Sequence, residues 1–264
     1  MKRLTLLLGL ILSACAARQQ PLRVCADPNN LPFSNADRRG FENEIASLIS
    51  RDLDRPIVYT WWAQRRGYVR NTLTAGTCDL WPGVASGVEM LDTTRPYYRS
   101  TYVFVTRADH NLDIKSFDDA RLRRLKIGVQ LVGNDAMNTP PAHALARRGI
   151  IDNVRGYMLY GDYSRPNPPA AIVEAVDRGD IDVAVVWGPL AGYFAQRSHH
   201  PLILKPVRPW LDSPQWPMVF DISMGVRKDD PKFKRTIETI LNRETPQIGR
   251  ILKTYGVPLA PASG

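Results

Sequence analysis

Histidine and cysteine are scarce in this chain, at four and three residues. Neither is arranged for metal chemistry: His110, His143, His199 and His200 lack zinc-ligand spacing, and Cys25 and Cys78 lie far apart. The G-x-S-x-G, P-loop, G-x-G-x-x-G and H-E-x-x-H patterns are also missing, which removes the usual sequence support for an enzyme or a nucleotide cofactor. Beyond Leu4–Leu12 no stretch approaches the roughly 18 apolar residues of a transmembrane helix. There is no internal repeat, low-complexity tract or long linker, so any lobes must be tightly interleaved.

Export is the first positive reading. Lys2-Arg3, the short apolar run and then Ser13-Ala14-Cys15-Ala16-Ala17 have the form of a secretory signal spanning residues 1–16. Two processing routes fit. Leu12-Ser13-Ala14-Cys15 matches a lipobox, which would lipidate Cys15, and Ala14-Cys15-Ala16 fits ordinary cleavage after Ala16. Both place the protein in the periplasm, and the first gives its only route to a membrane. An oxidising compartment lets disulfides persist, and Cys25 and Cys78 each sit at an expected strand. With Cys15 lipidated or removed with the signal, Cys25 and Cys78 remain as a pair and are expected to bond, the alternative being two buried free thiols.

A chain of 264 residues, 44% hydrophobic and 23% charged, has the composition of an ordinary globular protein with room for a large core. Its formal charge of +9 falls by two when Lys2 and Arg3 leave with the signal. The remaining basic clusters, "QRRGYVR", "ARLRRLK" and "RKDDPKFKR", suit water, acidic lipid or an acidic partner. Export and the lack of a recognised motif argue against nucleic acid.

Strand and helix patterns alternate. "PLRVCAD", "PIVYTWW", "DLWPGV" and "TYVFVTR" read as strands, "FENEIASLISRDL" as a helix with Ile45, Leu48, Ile49 and Leu53 on one stripe, and "GYVRNTLTAGTC" as a helix ending near Gly76. A second series follows from "LKIGVQ" through "PAAIVEAVDRGD" to "IDVAVVW", and the chain ends in another strand and paired helices. The order predicts an α/β fold with parallel strands and right-handed crossovers. It divides into a discontinuous first lobe, 21–108 with 206–264, and an inserted second lobe, 109–205. A cleft lined by strand C-termini is expected between them.

The segments "LRVCADPNNLPFS", "GFENEIASLI", "NTLTAGTCDLWPGV", "TTRPYYRSTYVFVTR", "AVDRGDIDVAVV" and "ISMGVRKDDPKFKRTIETIL" resemble, in order, those of the extracellular solute-binding proteins of family 3. That resemblance implies the type II periplasmic binding protein fold: two lobes, two chain crossings and an interlobe cleft. "QRRGYVRNTLTAGTCD", "TPPAHALARRG", "GDYSRPNPPAAIVEAV", "VVWGPLAGYFA" and "ILKTYGVPL" further resemble the MxaJ/XoxJ group, which is associated with pyrroloquinoline quinone (PQQ) alcohol dehydrogenases. This narrower resemblance implies an accessory role in a quinoprotein methanol or alcohol oxidation system, with the dehydrogenase or its cytochrome c as partner.

In the amino-acid receptors of the wider family, an Arg clamps the ligand carboxylate and an Asp holds its ammonium. Here those positions fall near Gly87-Val88 and at Trp187. Without either charge a zwitterion would be desolvated unpaired, so amino-acid cargo is disfavoured. Trp187 offers a large apolar face and one N–H, for a planar ligand, a partner side chain or simple bracing of the sheet end. Asp27, Asn29, Asn30 and Phe33 follow the first strand as turn formers and partial cleft lining. Trp81, Arg95, Tyr97 and Tyr98 are aromatic and cationic candidates at the cleft or its rim, or core residues. Asp135 is a cleft carboxylate or a helix cap.

Three functions are compatible with these residues. The first is the dehydrogenase accessory protein, which would have no cofactor of its own. The second is a receptor delivering a non-amino-acid solute to an ABC importer. The third is a small enzyme using Asp27 or Asp135.

Overall fold

The computed structural model describes residues 20–132, 138–158 and 163–261. The expected signal with Cys15, and Asp135, lie outside the described residues.

The chain begins with β1 (Leu22–Ala26), a two-residue hairpin of β2 (Asn29–Asn30) and β3 (Ser34–Asn35), and α1 (Phe41–Leu53). Then come β4 (Ile57–Trp61), α2 (Tyr68–Asn71), β5 (Leu80–Ala85), the short β6 (Asp92–Thr93) and the long β7 (Tyr98–Arg107). The middle of the chain supplies β8 (Ile127–Leu131), α3 (Pro140–Arg147), β9 (Val154–Met158), α4 (Ala171–Asp177), β10 (Val183–Trp187), α5 (Gly188–Ala195) and β11 (Leu202–Pro206). It closes with β12 (Val219–Val226), α6 (Pro231–Arg243) and α7 (Thr245–Thr254).

One strand path, β4-β1-β5-β12-β7-β10-β8-β9, runs through the molecule. β7 joins its two halves. Tyr98–Thr101 pairs with Ile222–Val219 of β12, after which the partners change: Tyr102–Thr106 pairs with Trp187–Val183 of β10, and Val103–Arg107 with Pro206–Leu202 of β11. All three ladders are antiparallel. The sheet is therefore mixed, not parallel throughout as the alternation of strands and helices suggested. The parallel pairs are confined to β1 with β4 and β5, and to β8 with β9 and β10.

Each half has its own core. In the first, Phe41, Ile45 and Ile49 of α1 meet Leu22, Val24 and Leu80 of the sheet, together with Ile237 and Ile240 of α6 and Ile251 and Leu252 of α7. A smaller cluster gathers Cys25, Tyr68, Val69, Leu73 and Cys78. In the second half β8, β10 and the later part of β7 are buried on both faces, so they read as continuous apolar runs. Phe104, Val183 and Val185 enter one cluster, and Val103, Val105, Ala184 and Val186 enter another, as the two-residue period of a strand requires.

Cys25 and Cys78 form the expected disulfide, with Cα atoms 5.4 Å apart. The helix expected up to Gly76 is shorter, ending after Asn71. Its continuation, Thr72-Leu73-Thr74-Ala75-Gly76-Thr77, is rich in residues of low helix propensity. Thr72 turns its hydroxyl back to the Tyr68 carbonyl, and Gly76 adopts φ +68.

Candidate functional site

β10 ends at Trp187 because the next residues, Gly188 and Pro189, open α5. Gly188 and Gly192, four residues apart, lie on one face of that helix. A Cβ at Gly188 would stand 2.5 Å from the Thr101 carbonyl oxygen, and one at Gly192 would stand 1.9 Å from that of Gly256. Only glycine admits this contact, and it seats α5 directly on β7 and the C-terminal segment. The Trp187 backbone N–H donates to Gln130 Oε1 at 3.3 Å. Its indole meets Tyr102 and Phe220 edge to face, at centroid distances of 5.4 and 5.8 Å.

The opposite wall is the turn after β1. Asp27 is 2% exposed, and its carboxylate accepts from the backbone N–H of Asn29 at 2.8 Å and of Gln64 at 2.6 Å, and from the Tyr163 hydroxyl. Burial, followed by the bond to Asp27, raises the Tyr163 phenol well above its usual range. Asn29 donates from Nδ2 to the Arg165 carbonyl at 2.7 Å and accepts the Asn167 N–H at 2.8 Å. Asn30 donates to Gln64 Oε1 at 2.8 Å. The β2–β3 hairpin is thereby tied to the segment leading into α4. Phe33 packs against the α1 core and against the cluster beneath α4.

Gly40 allows that hairpin to lie on the start of α1, since a Cβ there would stand 2.0 Å from the Phe33 carbonyl oxygen. The same oxygen accepts the Glu42 N–H at 3.0 Å. Asn43 Oδ1 accepts the Gly40 and Asn35 N–H groups, each at 3.1 Å, which fixes the helix entry. Glu42 is thus held on the first turn, 5% exposed, with its carboxyl directly over Gly83 of β5. Burial, and then the negative charge of Asp27, push this carboxyl up to about 8.

These walls enclose a cavity of about 360 Å³. Phe33, Trp81, Tyr98, Tyr102, Trp187 and Phe220 supply ring surface, Asn30, Gln64 and Gln130 supply amides, and Glu42 supplies a carboxyl. Among the described residues lining it there is no Lys, Arg or His, and so no guanidinium to clamp an amino-acid carboxylate.

Of the residues singled out in the sequence, Asn30, Phe33, Trp81, Tyr98 and Trp187 come together around this cavity, with Asp27 and Asn29 just behind its wall. Arg95 and Tyr97 line a different cavity of about 570 Å³, against α6 and α7. Tyr97 donates its hydroxyl to the Pro82 carbonyl at 2.8 Å, and the Arg95 N–H donates to Glu238 at 2.9 Å. Glu42, Gln64, Tyr102, Gln130 and Phe220 were not picked out. Only Glu42 left a signal, as a carboxylate three and seven residues before Ile45 and Ile49 on the apolar stripe of α1. Among the described residues, no group of three or more His, Cys, Asp or Glu could hold a metal ion.

Residues 66–227 match the family model described as bacterial extracellular solute-binding protein. The chain is 36% identical to the protein MoxJ of Methylorubrum extorquens strain AM1, over 92% of this chain and 82% of MoxJ. Among solved structures, the periplasmic binding protein XoxJ of Methylobacterium extorquens AM1 superposes with a TM-score of 0.74 at 35% identity, covering 91% of this chain and all of XoxJ (100%). MxaJ of Methlophaga aminisulfidivorans MPT gives 0.77 at 26% identity, with 90% and 100% covered. The two-lobed α/β fold, the cleft at its strand ends and these full-length similarities place the chain in the bacterial extracellular solute-binding protein family, in the group that contains MoxJ, MxaJ and XoxJ.

Proposed function

We propose that this protein is a periplasmic, non-catalytic accessory factor of a PQQ-dependent methanol or alcohol dehydrogenase. It acts by protein–protein interaction in the maturation or activation of that enzyme. The observation that carries the reading is the ring surface of Trp187, backed by Tyr102 and Phe220, where an amino-acid receptor would carry a charged anchor, within a chain similar to MoxJ along its length. A receptor for polar amino acids would need a cationic anchor for the ligand carboxylate, and none is among the described residues lining this cleft. Residues 21–108 with 206–264 serve as one lobe and 109–205 as the other. The exposed arginines of "QRRGYVR" and "ARLRRLK" give docking on an acidic partner, the dehydrogenase or its cytochrome c, an electrostatic component. Lipidation at Cys15 would hold this activity at a membrane surface, and cleavage after Ala16 would leave it free in the periplasm.

Deletion of the gene, followed by assay of the dehydrogenase in periplasmic extract, tests this. Activity should fall and return on complementation; undiminished activity would contradict the proposal. A second reading, an importer receptor for a non-amino-acid solute, is favoured by the size of the cleft, about 360 Å³.

A further inference from the structure

Glu42 is buried in a wall of aromatic rings, and no hydrogen bond or ion pair reaches its carboxyl among the described residues. Such a group is costly to ionise, and Asp27 nearby adds a second negative charge. Aromatic rings attract cations to their faces, an interaction that strengthens when the cation is desolvated. Among the described residues no cationic side chain lines the cavity to answer the carboxyl from within. Once Glu42 is ionised an anion would meet like charge there, and a zwitterion would bring a carboxylate that no cation among the described lining residues answers.

We propose that the cleft binds a small organic monocation, an alkylammonium or quaternary ammonium group seated against Glu42, with its apolar part on the rings of Trp81 and Trp187. Gly83 is part of the device, since any side chain there would occupy the place of the carboxyl. The amides of Asn30, Gln64 and Gln130 remain to bind a neutral polar tail. The inference does not depend on the dehydrogenase partner, and stands or falls separately from it.

Ligand affinity should follow the ionisation of Glu42. The groups electrostatically coupled to it are Asp27 and the phenols of Tyr59, Tyr68, Tyr97 and Tyr98. Arg38 lies over the Tyr59 ring, 5.3 Å from its centroid. All four phenols are raised by burial and stay neutral where Glu42 titrates. If only the ionised carboxyl binds, with its midpoint at about 8, affinity for a quaternary cation rises about tenfold between about pH 7 and about pH 9.

The test is calorimetric titration of the mature protein with methylammonium, trimethylammonium and choline, and with the carbon isostere of choline in which a tert-butyl group replaces the trimethylammonium. At least one cation should bind, more tightly at the higher pH, with the isostere much weaker. Glu42→Gln should abolish both the binding and its pH dependence, and Trp187→Ala should weaken binding; if either variant fails to fold, the pH series and the isostere decide on the wild type. Absence of binding by every cation would overturn the proposal. So would equal binding of choline and its isostere, which would instead mark the cleft as a seat for an apolar segment of a partner.

Discussion

Glu42 gives the residue scale its clearest consequence. Its carboxyl titrates near 4.5 when solvated and at about 8 in the folded protein, so between those values the native state keeps a proton that the unfolded chain releases. Stability therefore falls as pH rises through that window, by up to roughly 1.4 kcal/mol per pH unit from this group. Glu42→Gln should flatten the decline, and urea midpoints measured across that range would show it. Trp187 was legible in the sequence because a buried strand stops there where the wider family carries a charge. Glu42 was less so, because what isolates it is the placing of Asp27 and Gly83, both remote in sequence. Tyr97 and Tyr98 look alike as neighbours, but Tyr98 lines the cleft whereas Tyr97 lines the other cavity, so adjacency misled.

At the scale of elements, α5 and α7 make opposite demands on glycine. Gly192 lies against the Gly256 carbonyl, whereas Gly249 of α7 has nothing within 4 Å of where a Cβ would stand. Gly249→Ala should stabilise by about 0.5–1 kcal/mol through helix propensity. Gly192→Ala gains the same propensity yet should destabilise by about 1–3 kcal/mol, because rigid backbone must give way. Thermal melts of the two variants would separate them by sign. The Cys25–Cys78 bond closes a loop across a sequence separation of 53. By chain entropy it contributes about 4 kcal/mol, so the double Ala variant should lose that much, as read from denaturant unfolding. Strands and long helices were legible from apolar periodicity. The antiparallel β7 and β12 were not, since direction within a sheet depends on which strands the chain brings together across the two halves.

For the whole molecule, the sequence pattern was enough for the two-lobed α/β class, because each half repeats strand and helix with its own apolar stripe. That the lobes interleave was legible from the lack of a linker, but the closeness of the halves across the cleft was not. It rests on polar contacts between distant segments: Tyr163 with Asp27, Asn29 with Arg165, and Asn167 with Asn29. Such contacts leave no periodic trace. Tyr163→Phe removes one of them and should favour a more open arrangement, visible as a larger radius of gyration in solution scattering.

An accessory role requires a physical complex, and a basic chain should form it in part by charge. The most direct measurement is affinity capture of the tagged mature protein from native periplasm at low and then moderate salt, with retained proteins identified by mass spectrometry. A quinoprotein dehydrogenase subunit should be recovered, in smaller amount as salt rises. Recovery of no dehydrogenase at either salt would contradict an accessory role.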